Sequence, residues 1–241
     1  MSKHVVQAGW DHAVHLTAAA KADLLKEIPP YQRDARSKGI PMLGSGAIYP
    51  VPESDFVVQP FAIPDHYPRG FGFDVGWNRS AAVWGARDRD TDCVYLYAEH
   101  YAGRVEPAIH AAAIRAKGEW IPGVIDPAAA GRSQVDGEQL LQNYIDLGLD
   151  LDLAENAVDA GLDIVWTRLV SSRLKVFSSL VSWLWEFRKY RRDEHGHVVK
   201  KDDHEMDATR YLLQPNGIAR MKTRVRKQLD PFAHGSQLFT G

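Results

Sequence analysis

Phe71-Gly72-Phe73-Asp74-Val75-Gly76-Trp77-Asn78 has the two-residue alternation of a β-strand. Phe71, Phe73 and Val75 fall on one face and offer it a core. The other face carries only Gly70, Gly72, Asp74 and Gly76, so one carboxylate stands there with no bulk beside it along the strand. Such a display suits a metal ion with a bulky ligand pressed close to the backbone. It equally suits a solvent-facing Asp in a glycine-rich strand, and the neighbouring elements must decide.

Downstream, Trp77-Asn78-Arg79-Ser80 turns into a second strand, Ala81 to Arg87, and Asp88-Arg89-Asp90-Thr91-Asp92 into a third, Cys93 to Tyr101. Three strands joined by short turns make an antiparallel meander. A helix from Glu106 to Lys117 follows, with Pro107 in its first turn and Gly118 as its stop. The chain then returns as a strand, Trp120 to Asp126, for which a parallel neighbour is expected. After a loop, 127–135, a helix capped by Asp136, with Gln139 three residues on, runs to about Gly148. Leu149 to Leu153 alternates as a short strand. Helices are expected over Ala157 to Val170 and Leu174 to Trp185, the second because Leu174, Phe177, Leu180, Val181 and Leu184 share a helical face. Phe187 to Lys200 reads as a hairpin around Asp193-Glu194-His195-Gly196. A last helix, Asp203 to Leu213, is ended by Pro215-Asn216-Gly217.

Upstream, residues 1–66 read as an extended lead-in. One helix, Ala18 to Glu27, is N-capped by Thr17 and stopped by Pro29-Pro30. The Pro and Gly residues between Gly39 and Pro64 then argue for segments laid over a neighbour, without a core of their own. The main domain is expected over 67–215 and a basic tail over 216–241. Hydrophobic content of 45% and charged content of 25% are ordinary for a soluble globular protein. The net charge of −2 hides an asymmetry, because Trp166 to Asp230 holds 15 Lys and Arg against 8 Asp and Glu. A basic C-terminal third fits a polyanionic partner, or a solvated face. Cys93 is the single cysteine, which rules out disulfides and cysteine-based zinc sites within the chain and suits a reducing cytoplasm. No signal peptide or membrane-length apolar run is present, nor a Gly-x-x-x-x-Gly-Lys-Ser/Thr loop for nucleotide hydrolysis.

Three hairpin-linked strands, a helix, a parallel strand, then alternating helix and strand is the element order of the ribonuclease H-like fold. The expected architecture is therefore α/β, a mixed sheet of an antiparallel meander plus parallel strands, flanked by helices. In that order the first and fourth strands lie side by side, about 4.8 Å apart, so Asp74 and Asp126 could share one metal. Asp126 before Pro127 is also a common loop-opening residue. Asp203 and Asp207 project from one side of the last helix, four residues apart. Asp203 is the natural N-cap, a structural alternative to ligation, whereas Asp207 lies too far in to cap.

Phe73-Asp74-Val75-Gly76-Trp77, Val124-Ile125-Asp126 and Asp202-Asp203-His204-Glu205-Met206-Asp207-Ala208-Thr209-Arg210-Tyr211 together resemble the nuclease domain of tailed-bacteriophage terminase large subunits. Trp10-Asp11-His12-Ala13-Val14-His15-Leu16-Thr17 and the stretch from Pro29 to Pro41 resemble the segment that joins this family's packaging ATPase to its nuclease; Val14 stands where that pattern expects proline. The ATPase half has no counterpart here, so the chain is expected to be part of a longer motor protein.

The resemblance implies an endodeoxyribonuclease that cuts concatemeric double-stranded DNA in the host bacterial cytoplasm during virus assembly. Its implied partners are the small terminase subunit and the portal protein, with no membrane. Asp74, Asp126 and Asp207 are the expected catalytic metal ligands, with Asp203 as a fourth ligand or a neighbour just outside the ligand set, and His204 as an outer neighbour able to touch a metal or a phosphate. Carboxylate oxygens suit Mg²⁺ or Mn²⁺, and two ions are expected. Lys200, Lys201, Arg188, Lys189, Arg191 and Arg192 are the candidate DNA-binding residues, for contact with the backbone and not with the bases. Arg168, Arg173 and Lys175 belong to the same basic run. His195 and His197 read as turn residues. Two rival readings are a resolvase or transposase of the same fold, and a catalytically silent docking module whose acids are structural.

Overall fold

The computed structural model describes residues 9–13, 16–27, 37, 46–131, 140–193, 195 and 197–224. Helix α1 (Ala18–Glu27) starts where expected, its Ala20 N–H donating to the Thr17 hydroxyl at 3.2 Å. A single helical turn, α2 (Glu53–Phe56), leads into β1 (Val57–Val58). The meander is β2 (Arg69–Asp74), β3 (Ser80–Arg87) and β4 (Val94–Ala102). Then follow α3 (Pro107–Arg115), β5 (Gly123–Ile125), a 3-10 turn (Pro127–Ala130), α4 (Leu140–Asp146) and β6 (Leu151–Leu153). The chain continues with α5 (Val158–Val170), β7 (Leu174–Phe177), α6 (Val181–Phe187), α7 (His204–Leu213) and α8 (Pro215–Arg220).

The seven strands form one mixed sheet in the order β1-β7-β4-β3-β2-β5-β6. Only β2/β3 and β3/β4 are antiparallel; the other four pairs are parallel. The first meander strand lies beside the strand that returns from α3, with Phe71 opposite Gly123 and Phe73 opposite Ile125. This is the ribonuclease H-like arrangement that the element order implied. The sheet also begins before residue 67, since β1 adds its outer strand and both Tyr49 and Phe56 are buried in the core.

Helices cover both faces. Phe71, Phe73 and Trp84 pack with Ala111 and Ile114 of α3 and Tyr144 of α4. On the opposite face Val83, Leu96 and Val176 pack with Leu162 and Val165 of α5, Trp183 of α6, and Met206, Ala208 and Leu212 of α7. The alternation of β2 thus sends its aromatics to one layer and its bare positions to the other. What fills the bare face is α7. A Cβ on Gly72 would lie 1.9 Å from the Ala208 carbonyl oxygen and 3.0 Å from the Leu212 nitrogen. The glycines therefore admit a helix backbone, where the sequence suggested room for a bulky ligand.

Two expectations need correction. Leu174 to Trp185 is not one helix but β7 followed by α6. Leu174 and Val176 point into the core in strand alternation while Lys175 reaches out to the Asp55 carbonyl, and pairing with β1 and β4 satisfies the backbone of this short segment. The shared helical face was coincidental, as the 69% exposure of Val181 shows. Similarly, α7 ends at Leu213, but Pro215 opens α8 and does not end helical structure, because proline suits a first helical position. The hairpin expected over Phe187 to Lys200 is shorter, because Phe187 closes α6, and Arg192 is bridged antiparallel to Val198. The Asp136 cap lies outside the described residues. Gly118, at φ +143°, terminates the turn after α3 as its position implied.

Candidate active site

Asp74 is the last residue of β2, and Asp126 follows the last residue of the adjacent parallel strand β5. The Asp126 N–H donates to the Phe73 carbonyl at 2.9 Å, which fixes the two acids as lateral neighbours. Asp126 also performs its structural task, since its Oδ1 accepts the Ala128 N–H at 2.9 Å and caps the 3-10 turn. Asp207 arrives from the opposite direction on α7, one residue before the carbonyl that rests on Gly72. The three acids the sequence singled out are thereby brought to one end of the sheet.

Asp74 is 8% exposed, and its Oδ2 lies 2.8 Å from His204 Nδ1. Burial pushes its carboxyl up to about 6; the His204 hydrogen bond opposes the rise, while Asp207 and Asp126 add to it. The imidazole is raised in turn, chiefly by its bond to Asp74. Asp207 is buried, with Lys200 Nζ at 2.9 Å from its Oδ2 and the Arg210 guanidinium at 3.1 and 3.2 Å from its Oδ1. Burial works against the Lys200 charge, but Asp207 and Asp203 outweigh it and hold the ammonium. Asp203 occupies the N-cap position of α7, yet its side chain makes no capping bond. Its buried Oδ2 faces Lys200 Nζ at 3.4 Å without a hydrogen bond, and burial with the Asp207 charge raises its pKa.

Among the described residues no group of three or more His, Cys, Asp or Glu side chains is arranged to hold a metal ion as it stands. The side chains are instead turned to internal partners: Asp74 to His204, and Asp207 to Lys200 and Arg210. The donor chemistry nevertheless fits a hard divalent cation. Carboxylates predominate, Asp74 and Asp203 carry raised pKa values that a nearby cation would relieve, and Lys200 already places positive charge between Asp203 and Asp207.

The expected DNA-binding residues divide. Lys200 sits on the acids themselves. Arg188 makes a two-pronged bond with Glu53 at 2.6 and 2.7 Å, and Lys189 lies over the Trp185 ring and 3.3 Å from Asp202. Arg191 and Lys201 are exposed, and the Arg192 N–H donates to the Gly46 carbonyl. Arg168 and Arg173 pair with Asp92, and Lys175 with the Asp55 carbonyl, where β4 and β7 begin, at the end of the sheet opposite Asp74. Trp77, after β2, is 65% exposed. His195 and His197 both donate their backbone N–H to Asp193, as turn residues do. Sequence reasoning assigned no role to Arg210, although its i+3 spacing from Asp207 was a usable signal. Nor did it assign one to Glu186, whose buried carboxylate accepts from Tyr101 Oη and from the Glu205 N–H.

No family model matches the chain. The terminase large subunit of Salmonella phage P22 is 34% identical over 237 residues, covering 94% of this chain and 47% of that protein. That of Enterobacteria phage LP7 is 34% identical over 221 residues, 87% of this chain and 46% of that protein. The P22 large terminase nuclease domain superposes with a TM-score of 0.68 at 29% identity, covering 76% of this chain and 97% of that domain. The chain belongs with the terminase large subunits, over their nuclease domain. It spans about half the length of the two phage subunits it matches. The large terminase of a thermophilic bacteriophage, in complex with ADP, shares the fold, with a TM-score of 0.62 at 19% identity over 87% of this chain and 55% of that one.

Proposed function

We propose that this chain is the metal-dependent endonuclease domain of a viral packaging terminase, hydrolysing phosphodiester bonds of concatemeric double-stranded DNA. The observation that carries the reading is the meeting of Asp74, Asp126 and Asp207, from two adjacent strand ends and the helix seated on Gly72. Asp74, Asp126 and Asp207 would hold Mg²⁺ or Mn²⁺, with Asp203 as a fourth ligand. A pair of such ions, when bound, supplies the charge that activates water and stabilises the leaving 3′ oxygen.

The chain's own residues prepare the rest. His204 fixes the rotamer of Asp74, and Arg210 fixes that of Asp207. Lys200, with a side chain 60% exposed, is free to leave Asp207 for a DNA phosphate as a cation takes its place. Arg191 and Arg192 in the adjoining hairpin, with Lys189 and Lys201 at either side of it, would contact the sugar-phosphate backbone. Arg188, being committed to Glu53, is the weakest member of that set. On this reading the working partners are the small terminase subunit and the portal protein, in the host bacterial cytoplasm. No helix among the described residues is long and apolar enough to cross a membrane.

One observation favours a second reading. Both oxygens of Asp207 already have cationic partners, which suits a silent docking module with structural acids. Plasmid nicking with Mg²⁺ and Mn²⁺, set against EDTA, separates the two. Cleavage that EDTA abolishes supports the nuclease. Intact plasmid with both metals, in this chain and in a form extended by its ATPase half, supports the module.

A further inference from the structure

The N-terminus of α7 carries Asp203, His204 and Asp207 within five residues, so its local geometry sets the site. An N-cap Asp ordinarily turns its carboxylate back to accept the second or third N–H of its helix. Asp203 does not, and its buried Oδ2 makes no hydrogen bond. The N–H that it would take, that of Glu205, donates instead to Glu186 Oε2 at 2.6 Å. Glu186 is fully buried, and its other oxygen accepts from Tyr101 Oη at 2.6 Å. Helix α6, which carries Glu186, is itself anchored by β4, since the N–H groups of Ser182 and Trp183 donate to the Glu99 carboxylate at 3.0 and 2.9 Å. Glu99 and Tyr101, two residues apart on one strand, thus hold both the start of α6 and the carboxylate near its end.

We propose that Glu186 caps α7 in place of Asp203, as a positioning residue that releases the Asp203 carboxylate for the cation site. The cation part rests on the nuclease reading above; the capping part does not. A capped Asp203 would face the backbone of its own helix. Released, it lies against Lys200, whose Nζ is 3.4 Å from its Oδ2 and 2.9 Å from Asp207 Oδ2. Two acids at the start of one helix then act together, because the helix N-terminus is satisfied from a different element.

The test uses the full chain with two readouts. Amide exchange of Glu205 reports the cap without metal. Protection should persist in Asp203→Ala and Glu186→Gln, whose amide oxygen still accepts, and fall at least tenfold in Glu186→Ala. Calorimetric titration with Mn²⁺ reports the release. Asp203→Asn should weaken binding about tenfold in the wild-type background and hardly at all in Glu186→Ala, where Asp203 has turned to cap. Protection lost in Asp203→Ala overturns the proposal, and so does a Glu186→Ala chain that binds Mn²⁺ like wild type. Should Glu186→Ala fail to fold, Tyr101→Phe tests the same arm, with weaker Mn²⁺ binding expected and unchanged binding contrary. A wild-type chain that binds no Mn²⁺, yet keeps Glu205 protected in Asp203→Ala, refutes the nuclease reading and supports the cap.

Discussion

Replacing Gly72 by alanine tests how the site is assembled. The added Cβ would fall 1.9 Å from the Ala208 carbonyl oxygen and 2.9 Å from its carbon, against a comfortable separation of about 3.5 Å. The obstacle is helix backbone, which cannot swing aside as a side chain does, so α7 must withdraw by roughly 1.5 Å at this point. Overpacking of this kind costs about 1–3 kcal/mol, and the rigidity of the contact argues for the upper end. Alanine's lower entropic cost in a strand returns about 0.5–1 kcal/mol. A net loss of about 2 kcal/mol lowers Tm by about 4–8 °C in a chain of this size. Asp207 moves with its neighbour Ala208, and a displacement near 1 Å at a reacting centre costs about 100-fold in rate. Gly70→Ala is the control, because its Cβ would meet the flexible Met221 side chain at 3.1 Å and the Pro122 carbonyl at 3.4 Å. Thermal melts and plasmid nicking with Mn²⁺ give the two readouts. A Gly72→Ala protein that melts and cuts like wild type, or a Gly70→Ala protein equally damaged, would refute the reasoning.

Three further outcomes are expected. Asp74→Asn should abolish cleavage with Tm unchanged or raised, because burial already pushes this carboxyl up to about 6 and its charge is a burden on the fold; wild-type cutting with Mg²⁺ or Mn²⁺ would remove Asp74 from the site. His100 and His110 lie 2.9 Å apart, and burial depresses both, His100 to about 4 with the neighbouring His110 charge adding to the effect. Protons therefore bind the unfolded chain preferentially, so this contribution is complete above about pH 6.5 and is lost as pH falls toward 4. Because solvent reaches His100 in part, its size is on the order of 1–2 kcal/mol. Denaturant melts of a His100→Leu, His110→Leu double variant should lose that part of the pH dependence, and an unchanged slope would count against the assignment. Asp92→Ala should lower Tm by leaving Arg87, Arg168 and Arg173 without their shared carboxylate, yet leave Mn²⁺ affinity unaltered, because this cluster lies at the far end of the sheet. Reduced Mn²⁺ affinity there would mean that the two ends are coupled.

What was legible in the sequence followed from local pattern. The alternation of Phe71, Phe73 and Asp74 and the turns at 77–80 and 88–92 gave the meander and the direction in which Asp74 points. Helical spacing failed at Leu174–Phe177 because four residues satisfy either period, and the decision came from β1 and β4, distant in sequence. The bare face of β2 was visible, but its occupant was not, since nothing at Gly72 announces a helix that begins at His204.

The same division runs through the site. Asp74 closes β2, Asp126 follows β5 and Asp207 lies in the first turn of α7, so each could be singled out from its own local element. Their counter-charges depend on contacts that no window of sequence contains. The fold pairs Arg188 with Glu53, and it gives the Glu205 N–H to Glu186 where the sequence offered Asp203 as the cap. The consequence is chemical. A run of basic residues beside a nuclease motif overstates the charge available to DNA, because part of it is consumed in holding the acids and the lead-in in place. Lys200 is the residue proposed for both roles, an exposed cation seated on the acids that would exchange them for phosphate.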